Sequence, residues 1–367
     1  MDNRTLKHCA LIGAAAVLAM LAVWSPFLLD DNADAISRYW DGPSYVTVAY
    51  SLYAADNAVY SAYSLKPVFY AAHFPAYPLA IRALSFMGYF NAMLLATAFF
   101  TVLACTAFYF LAREYAQPDA AFLLSLLFTV FPARWLLYHS VGATEPLFIF
   151  AAIASVYFLR KKSFGACAAF AVLATLTRVN GVLLFPAFIV ALWLQDRRSL
   201  NAKTLAWLSL IPVSFACLLC FHWLQFGDFF AAFQVNAGYA QGFLSSITAY
   251  GGAQAGELTV LLFAAYAAGV ARLWQRKRFE LCLVAIVFIF PILFLAHNDA
   301  SRYLLPAAPF ALLLAFDDVL APLLKRKSFW LAVALYVAAA LVYCWNVLPQ
   351  NLMPLNAFQK LLTIITR

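Results

Sequence analysis

Long apolar segments, separated by short charged ones, are the feature that most restricts how this 367-residue chain can fold. Hydrophobic residues make up 66% of the sequence and charged residues 11%, whereas a soluble domain carries about 25% charge. A helix needs roughly 20 apolar residues to cross a bilayer core. The pattern predicts an all-α, polytopic transmembrane protein with about eleven spans. These are residues 9–29, 89–111, 119–137, 143–159, 163–177, 180–195, 204–224, 257–274, 279–296, 303–320 and 328–348.

Basic residues fall into two sets that alternate between the predicted spans. The dense set contains residues 4–7, 113, 160–162, 197–203, 272–278 and 325–327, and the scattered set lies in the segments between. Because Lys and Arg are enriched in cytoplasmic loops, this alternation predicts a cytoplasmic N-terminus and a functional face outside the cytoplasm. The net charge of +8 is then a loop effect and does not indicate nucleic-acid binding. We expect a multi-pass protein of a bacterial or archaeal plasma membrane.

The chain is expected to form one integral-membrane domain over residues 1–367, with two large extracytoplasmic loops at 30–88 and 225–256. In the first loop, Tyr45, Val48, Ala49 and Leu52 recur at helical spacing, which predicts an interfacial helix over 44–55. A second interfacial helix is predicted over 79–86. The 225–256 loop is rich in glycine and aromatic residues, which fits either a cover for an apolar ligand or an interfacial loop without a specific role.

Asp41 lies in the first loop between aromatic residues and is the candidate general base. A carboxylate that is partly shielded from water becomes a better proton acceptor. The alternative is structural, because an aspartate two residues before Pro43 is also a good start for a helix. The two interpretations are compatible.

Three further aspartates, Asp30, Asp31 and Asp34, follow the first predicted span within five residues. Oxygen ligands so close together could hold a divalent cation. A solvated helix exit explains the same run without any metal. We expect that the protein requires no cofactor, and a divalent cation bound by these aspartates is the alternative.

The remaining candidates are charges at the outer ends of predicted spans, where burial in the membrane is costly and charges are usually paired or functional. Glu145 opens one span and is expected to pair with Arg134 or Arg178. Arg178 has no acidic neighbour in the sequence, so a lipid-linked phosphate would be a suitable anion for it. Arg302 opens another span and could hold the same anion or extend to the lipid headgroups.

These candidates together suit transfer of a sugar from a polyprenyl-phosphate donor to a hydroxyl group. The phosphate leaving group needs charge stabilisation, and one carboxylate suffices to take the proton of the acceptor. A single displacement of this kind inverts the anomeric centre. The rival interpretation is a transporter or flippase of a lipid-linked saccharide, which would be expected to show an internal repeat and polar residues at mid-membrane.

Five short motifs, in order along the chain, carry a resemblance to a known family. They are Trp40-Asp41 with Tyr45, the stretch HFPAYPL at 73–79 with Arg82, SVGATEPLF at 140–148, TRVNG at 177–181, and Arg302-Tyr303 with Pro306 and Pro309. This ordered set resembles the GPI mannosyltransferase II family and its prokaryotic relatives.

The resemblance implies a GT-C glycosyltransferase that uses a dolichyl- or polyprenyl-phosphate sugar, with mannose as the expected sugar and an unspecified hydroxyl acceptor. It implies that Asp41 is the catalytic base. Arg178 and Arg302 are then expected to bind the donor phosphate. The residues expected to orient the substrates are Trp40, Tyr45, His73, Glu145, Asn180 and Tyr303.

Overall fold

The computed structural model describes residues 2–63, 65–239, 242–245, 252–297 and 299–366. Over these residues the chain is helical, and the only extended pairing is an isolated antiparallel bridge between Tyr39 and Leu352. The prediction of an all-α protein is confirmed. The α-helices are α1 (Asn3–Leu29), α2 (Asp34–Arg38), α3 (Gly42–Ser51), α4 (Ala76–Ala83), α5 (Tyr89–Ala112), α6 (Pro118–Phe128), α7 (Ala133–Tyr138), α8 (Glu145–Arg160), α9 (Phe164–Thr175), α10 (Leu184–Gln195), α11 (Ala202–Leu208), α12 (Leu210–Phe226), α13 (Ala231–Asn236), α14 (Gly252–Gln275), α15 (Phe279–Ile289), α16 (Ala300–Tyr303), α17 (Asp317–Leu324), α18 (Lys327–Val347) and α19 (Leu355–Ile365).

Five helical segments of the described residues are long and apolar enough to cross a membrane: Asn3–Leu29, Tyr89–Ala112, Ala202–Phe226, Gly256–Gln275 and Lys327–Asn351. A sixth crossing results if Ala300–Ala307 and Pro309–Leu324, which are bent by 68° at their junction, form one broken span. The protein is thus an integral membrane protein. Several other predicted spans correspond to shorter apolar helices, and 119–137 is divided between α6 and α7. The total of about eleven spans stays a prediction.

Helix α8 lies at the centre of the bundle and packs between α5 and α9. Its sequence is apolar on every side, and nearly all of its residues are buried, as expected of a helix enclosed by others. At a rise of 1.5 Å per residue, its 16 residues span about 24 Å. Its two charged ends, Glu145 and Arg160, therefore belong to opposite ends of the molecule.

At the Arg160 end, charged residues from several predicted cytoplasmic segments pair with one another. Arg160 contacts buried Glu280 at 2.9 Å, and Arg278 contacts buried Asp317 at 2.8 Å. The guanidinium groups of Arg160 and Arg278 both lie against the ring of Tyr115, at 4.4 and 4.6 Å. The dense basic set thus converges on one end of the bundle, which supports the predicted topology, while the orientation in a membrane stays a prediction.

The first large loop folds into a layer of short helices at the opposite end. Helix α3 confirms a helix in the predicted region, but it ends at Ser51, and Leu52 adopts a left-handed conformation and is exposed. The helix is also buried on most of its surface instead of on one face, because the 3₁₀ turns 58–62 and 67–72 and helix α19 cover it. The second predicted helix corresponds to α4 and a 3₁₀ turn at Ser85–Met87.

The second predicted loop, 225–256, is only partly within the described residues. It contains α13 and exposed aromatic side chains at Phe229, Phe230 and Phe233. Residues 240–241 and 246–251 lie outside the described part of the chain. The predicted role of this loop as a cover for an apolar ligand stays a prediction.

Candidate active site

A buried carboxylate, Glu145, binds two guanidinium groups at the end of the bundle opposite the basic clusters. Its Oε1 atom accepts a hydrogen bond from Arg302 Nε at 2.5 Å and another from Arg178 Nη1 at 2.6 Å. Glu145 is fully buried, and the side chains of Arg178 and Arg302 are 17% and 5% exposed. Arg178 therefore has a counter-charge within the protein, although no acidic residue lies near it in the sequence. Of the two partners predicted for Glu145, Arg178 is the one found.

Local backbone structure explains how Arg178 reaches this carboxylate. Helix α9 ends at Thr175, Arg178 is extended, and the chain then re-enters a 3₁₀ turn over Val179–Leu183. A Cβ atom at Gly181 would overlap the backbone of Ala174 and Thr175, so the tight return of the chain requires glycine. The Arg178 guanidinium also lies 5.7 Å from the centre of the Tyr303 ring. Asn180 is half-buried within the same turn.

Asp41 is the more open of the two carboxylates in the site. Its Oδ2 atom accepts a hydrogen bond from Arg302 Nη2 at 3.1 Å, and its side chain is 30% exposed. The residue does precede α3, with a proline in the first turn, but its side chain forms no capping hydrogen bond. The carboxylate is therefore directed to the arginine instead of the helix terminus. The structure thereby brings together Asp41, Glu145, Arg178 and Arg302, which are far apart in the sequence.

A second ion pair adjoins this cluster. Arg134 binds Asp299 and the hydroxyl of Tyr343, and Tyr138 donates its hydroxyl to Asp299 Oδ2 at 2.9 Å. The Tyr138 ring lies between this ion pair and the Glu145 cluster. Its centre is 4.4 Å from the guanidinium carbon of Arg302 and 5.2 Å from that of Arg134. The pairing of Arg134 with Glu145 is therefore not found. Tyr138 has no signal in the sequence that points to this position, whereas the charge of Asp299 at the outer edge of a predicted span is such a signal.

Tyr45 and His73 form an aromatic wall beside the cluster. Their ring centres are 5.0 Å apart, and the Tyr45 hydroxyl lies 3.5 Å from Thr144 Oγ1, which also accepts a hydrogen bond from Arg178. Burial lowers the pKa of His73 and raises that of Tyr45, because each charged form would lose its hydration. Both side chains are therefore neutral at pH 7.

The other predicted site residues are arranged differently. Trp40 is 40% exposed and has a positive φ of 44°. Within the described residues, no group of three or more His, Cys, Asp or Glu side chains could hold a metal ion. Asp30, Asp31 and Asp34 therefore do not assemble the cation site that is the alternative for them, because Asp30 follows the last residue of α1 while Asp34 begins α2.

Comparison with known structures defines the class of fold. The chain resembles in fold the archaeal oligosaccharyltransferase AglB, which has the GT-C fold. One similar solved structure is the crystal structure of the Archaeoglobus fulgidus oligosaccharyltransferase tethered to an acceptor peptide. It has a TM-score of 0.50, is 12% identical in sequence and covers 92% of this chain. Another is the archaeal oligosaccharyltransferase AglB from the same organism in complex with an inhibitory peptide and a dolichol-phosphate. It has a TM-score of 0.51, is 13% identical and also covers 92%.

The chain spans about half the length of these two structures, 54% and 55%. At this level of sequence identity the similarity establishes the fold alone. No protein-family model matches the sequence, and no curated protein matches it. The function must therefore be argued from the residues of the site.

Proposed function

We propose that the protein is an inverting glycosyltransferase that moves a sugar from a polyprenyl- or dolichyl-phosphate donor to a hydroxyl acceptor on the extracytoplasmic face. The observation that carries this proposal is the open carboxylate of Asp41, 3.1 Å from Arg302, beside a second arginine in a GT-C fold. The resemblance to the GPI mannosyltransferase II family favours mannose as the sugar. The dolichol-phosphate in the complex of the archaeal enzyme supports a lipid-phosphate donor.

In the proposed mechanism, Asp41 takes the proton from the acceptor hydroxyl as that oxygen attacks the anomeric carbon. The bond from the anomeric carbon to the phosphate oxygen breaks, and the lipid phosphate leaves with its negative charge. The donor phosphate is a good leaving group, so no general acid is required. Asp41 fits the role of the base because its carboxylate is partly open and is not engaged in capping α3.

Arg178 and Arg302 are proposed to stabilise the charge on the departing phosphate. A guanidinium group has five N–H donors, and the bond to Glu145 uses only one nitrogen of Arg178. Glu145 holds both guanidinium groups at fixed positions, which reduces the cost of ordering them when the donor binds. Tyr45, His73, Asn180, Trp40 and Tyr303 are proposed to shape the space around the sugar and the acceptor.

The test is transfer of radiolabelled mannose from polyprenyl-phosphate mannose to a membrane extract by the purified protein. We expect a labelled product with the wild type and a loss of at least about 100-fold in kcat for Asp41→Asn, with donor binding retained. Asp56→Asn is the matched control, because Asp56 is an exposed aspartate of the same loop. Equal rates for Asp41→Asn and the wild type would refute the role of Asp41, and movement of intact donor across vesicles without transfer would favour a transporter.

A further inference from the structure

The segment that precedes the candidate base is paired with a segment near the end of the chain. The backbone N–H of Trp40 donates to Asn351 O at 2.8 Å, and the N–H of Met353 donates to Arg38 O at 2.8 Å. The Arg38 side chain adds two hydrogen bonds, from Nε and Nη2 to Met353 O at 2.9 and 2.8 Å. Residues 38–40 and 351–353 thus form a short antiparallel clasp, with Tyr39 opposite Leu352.

This pairing holds Trp40 in a conformation that a bulky residue rarely adopts. Its φ of 44° is in the left-handed region, where an L-residue with a large side chain is strained. Trp40 immediately precedes Asp41, so its backbone angles set the direction in which the chain enters α3. A change at Trp40 would therefore move the Asp41 carboxylate relative to Arg302.

Helix α19 anchors the C-terminal side of the clasp. It is strongly amphipathic and buries Phe358 and Leu361 in the same hydrophobic cluster as α3. The Arg38 guanidinium lies 6.0 Å from the centre of the Phe358 ring, so it contacts both the clasp and its anchor. The clasp is thereby tied to the layer of helices that carries Asp41.

We propose that the clasp, residues 38–40 with 351–353, is a positioning device that sets the orientation of Asp41, and that Arg38 is its central positioning residue. This inference rests on the proposed function of Asp41 as the base. Neither Arg38 nor α19 touches the reacting groups in this mechanism. Their effect is to keep the carboxylate at the distance and angle that proton transfer needs.

The kinetic test compares Arg38→Ala with the wild type in the mannose transfer assay. We expect kcat to fall by about tenfold or more while the KM for the donor changes by less than about twofold, because only the base is misplaced. Arg38→Lys should recover part of kcat, since a single ammonium can still donate to Met353 O. Arg197→Ala is the control, because Arg197 donates to a backbone carbonyl at the opposite end of the molecule. An unchanged kcat for Arg38→Ala would overturn the proposal.

A second measurement, hydrogen–deuterium exchange, does not depend on activity. The amides of Trp40 and Met353 should be protected in the wild type and should exchange faster in Arg38→Ala. Protection that persists in Arg38→Ala would overturn Arg38 as the central positioning residue whatever the activity. If the wild type transfers no sugar but protection is lost as expected, the proposed function fails and the clasp stands. If kcat falls only in proportion to a loss of folded protein, Arg38 is structural and the positioning role is overturned.

Discussion

Removal of the charge of Glu145 should strongly destabilise the protein. Glu145→Gln is nearly isosteric, and its amide oxygen can still accept from Arg178 and Arg302. Within the described residues, Glu145 Oε2 accepts no hydrogen bond, so an amide NH₂ group at that position would displace no donor. The substitution therefore tests the charge with little change in shape.

The size of the effect can be worked out from the two contacts. A pair of unit charges about 4 Å apart contributes about 4 kcal/mol at an effective dielectric constant of about 20. The neutral amide keeps the hydrogen bonds but leaves two buried cations without their shared anion. Breaking a buried pair in this way costs about 3–5 kcal/mol. A loss of 1 kcal/mol in the free energy of unfolding lowers Tm by about 2 °C in a chain of this size. The loss of about 3–5 kcal/mol should therefore lower Tm by about 6–10 °C.

Thermal unfolding of the detergent-purified protein, followed by intrinsic tryptophan fluorescence at one scan rate, measures this shift. Glu257→Gln is the matched control, because Glu257 is an exposed glutamate on α14. Asp41→Asn should lower Tm by less than about 2 °C, since a partly exposed pair contributes about 0–1 kcal/mol. A Tm for Glu145→Gln within 2 °C of the control would refute the claim that Glu145 is the essential counter-charge of the two arginines.

Two more predictions concern the binding of the donor and the pH dependence of stability. Arg178→Lys should raise the KM for the donor by about tenfold, because an ammonium group cannot bind a phosphate through a planar fork, and steady-state kinetics would reveal it. His73→Gln should make Tm less dependent on pH. Burial depresses the pKa of His73 in the folded protein, so wild-type stability is full above the unfolded value of about 6.5 and declines as the pH falls below it. Tm scans at pH 7.5 and 5.5 compare the two proteins, and equal slopes would contradict the prediction.

The fold class and several residues of the candidate site could be predicted because charged residues are rare in apolar segments and easy to identify there. Burial of a charged side chain at the end of an apolar segment costs free energy, so such a residue is usually paired or functional. This pattern indicated Asp41, Glu145, Arg178 and Arg302 as candidates. The pairings among them could be predicted only in part. Arg302 and Glu145 are separated by 157 positions, and nothing in local periodicity shows which arginine approaches which carboxylate.

Two parts of the structure leave no such signal in the sequence. On the side of residues 351–353 the clasp uses backbone groups, which every residue carries, so this segment looks like an ordinary exit from a helix. The ends of the short helices cannot be predicted from hydropathy. Hydropathy registers apolar length but not the breaks at Phe128 and Ala308, where α6 ends and where the chain bends before Pro309. The predicted spans 119–137 and 303–320 are therefore longer and more regular than the helices found there.

The different surroundings of the two carboxylates suit the different roles proposed for them. Glu145 is at the start of the enclosed helix α8, where it can offset two positive charges but cannot meet an acceptor. Asp41 lies on a loop layer outside the bundle, is 30% exposed and contacts the same arginine from the other side. Arg302 thus connects a carboxylate that fixes the cations to one that an acceptor can approach. Exchange of the two environments would leave the arginines without a buried counter-charge and the proposed base out of reach of an acceptor, so the proposed roles follow from position and not from residue type.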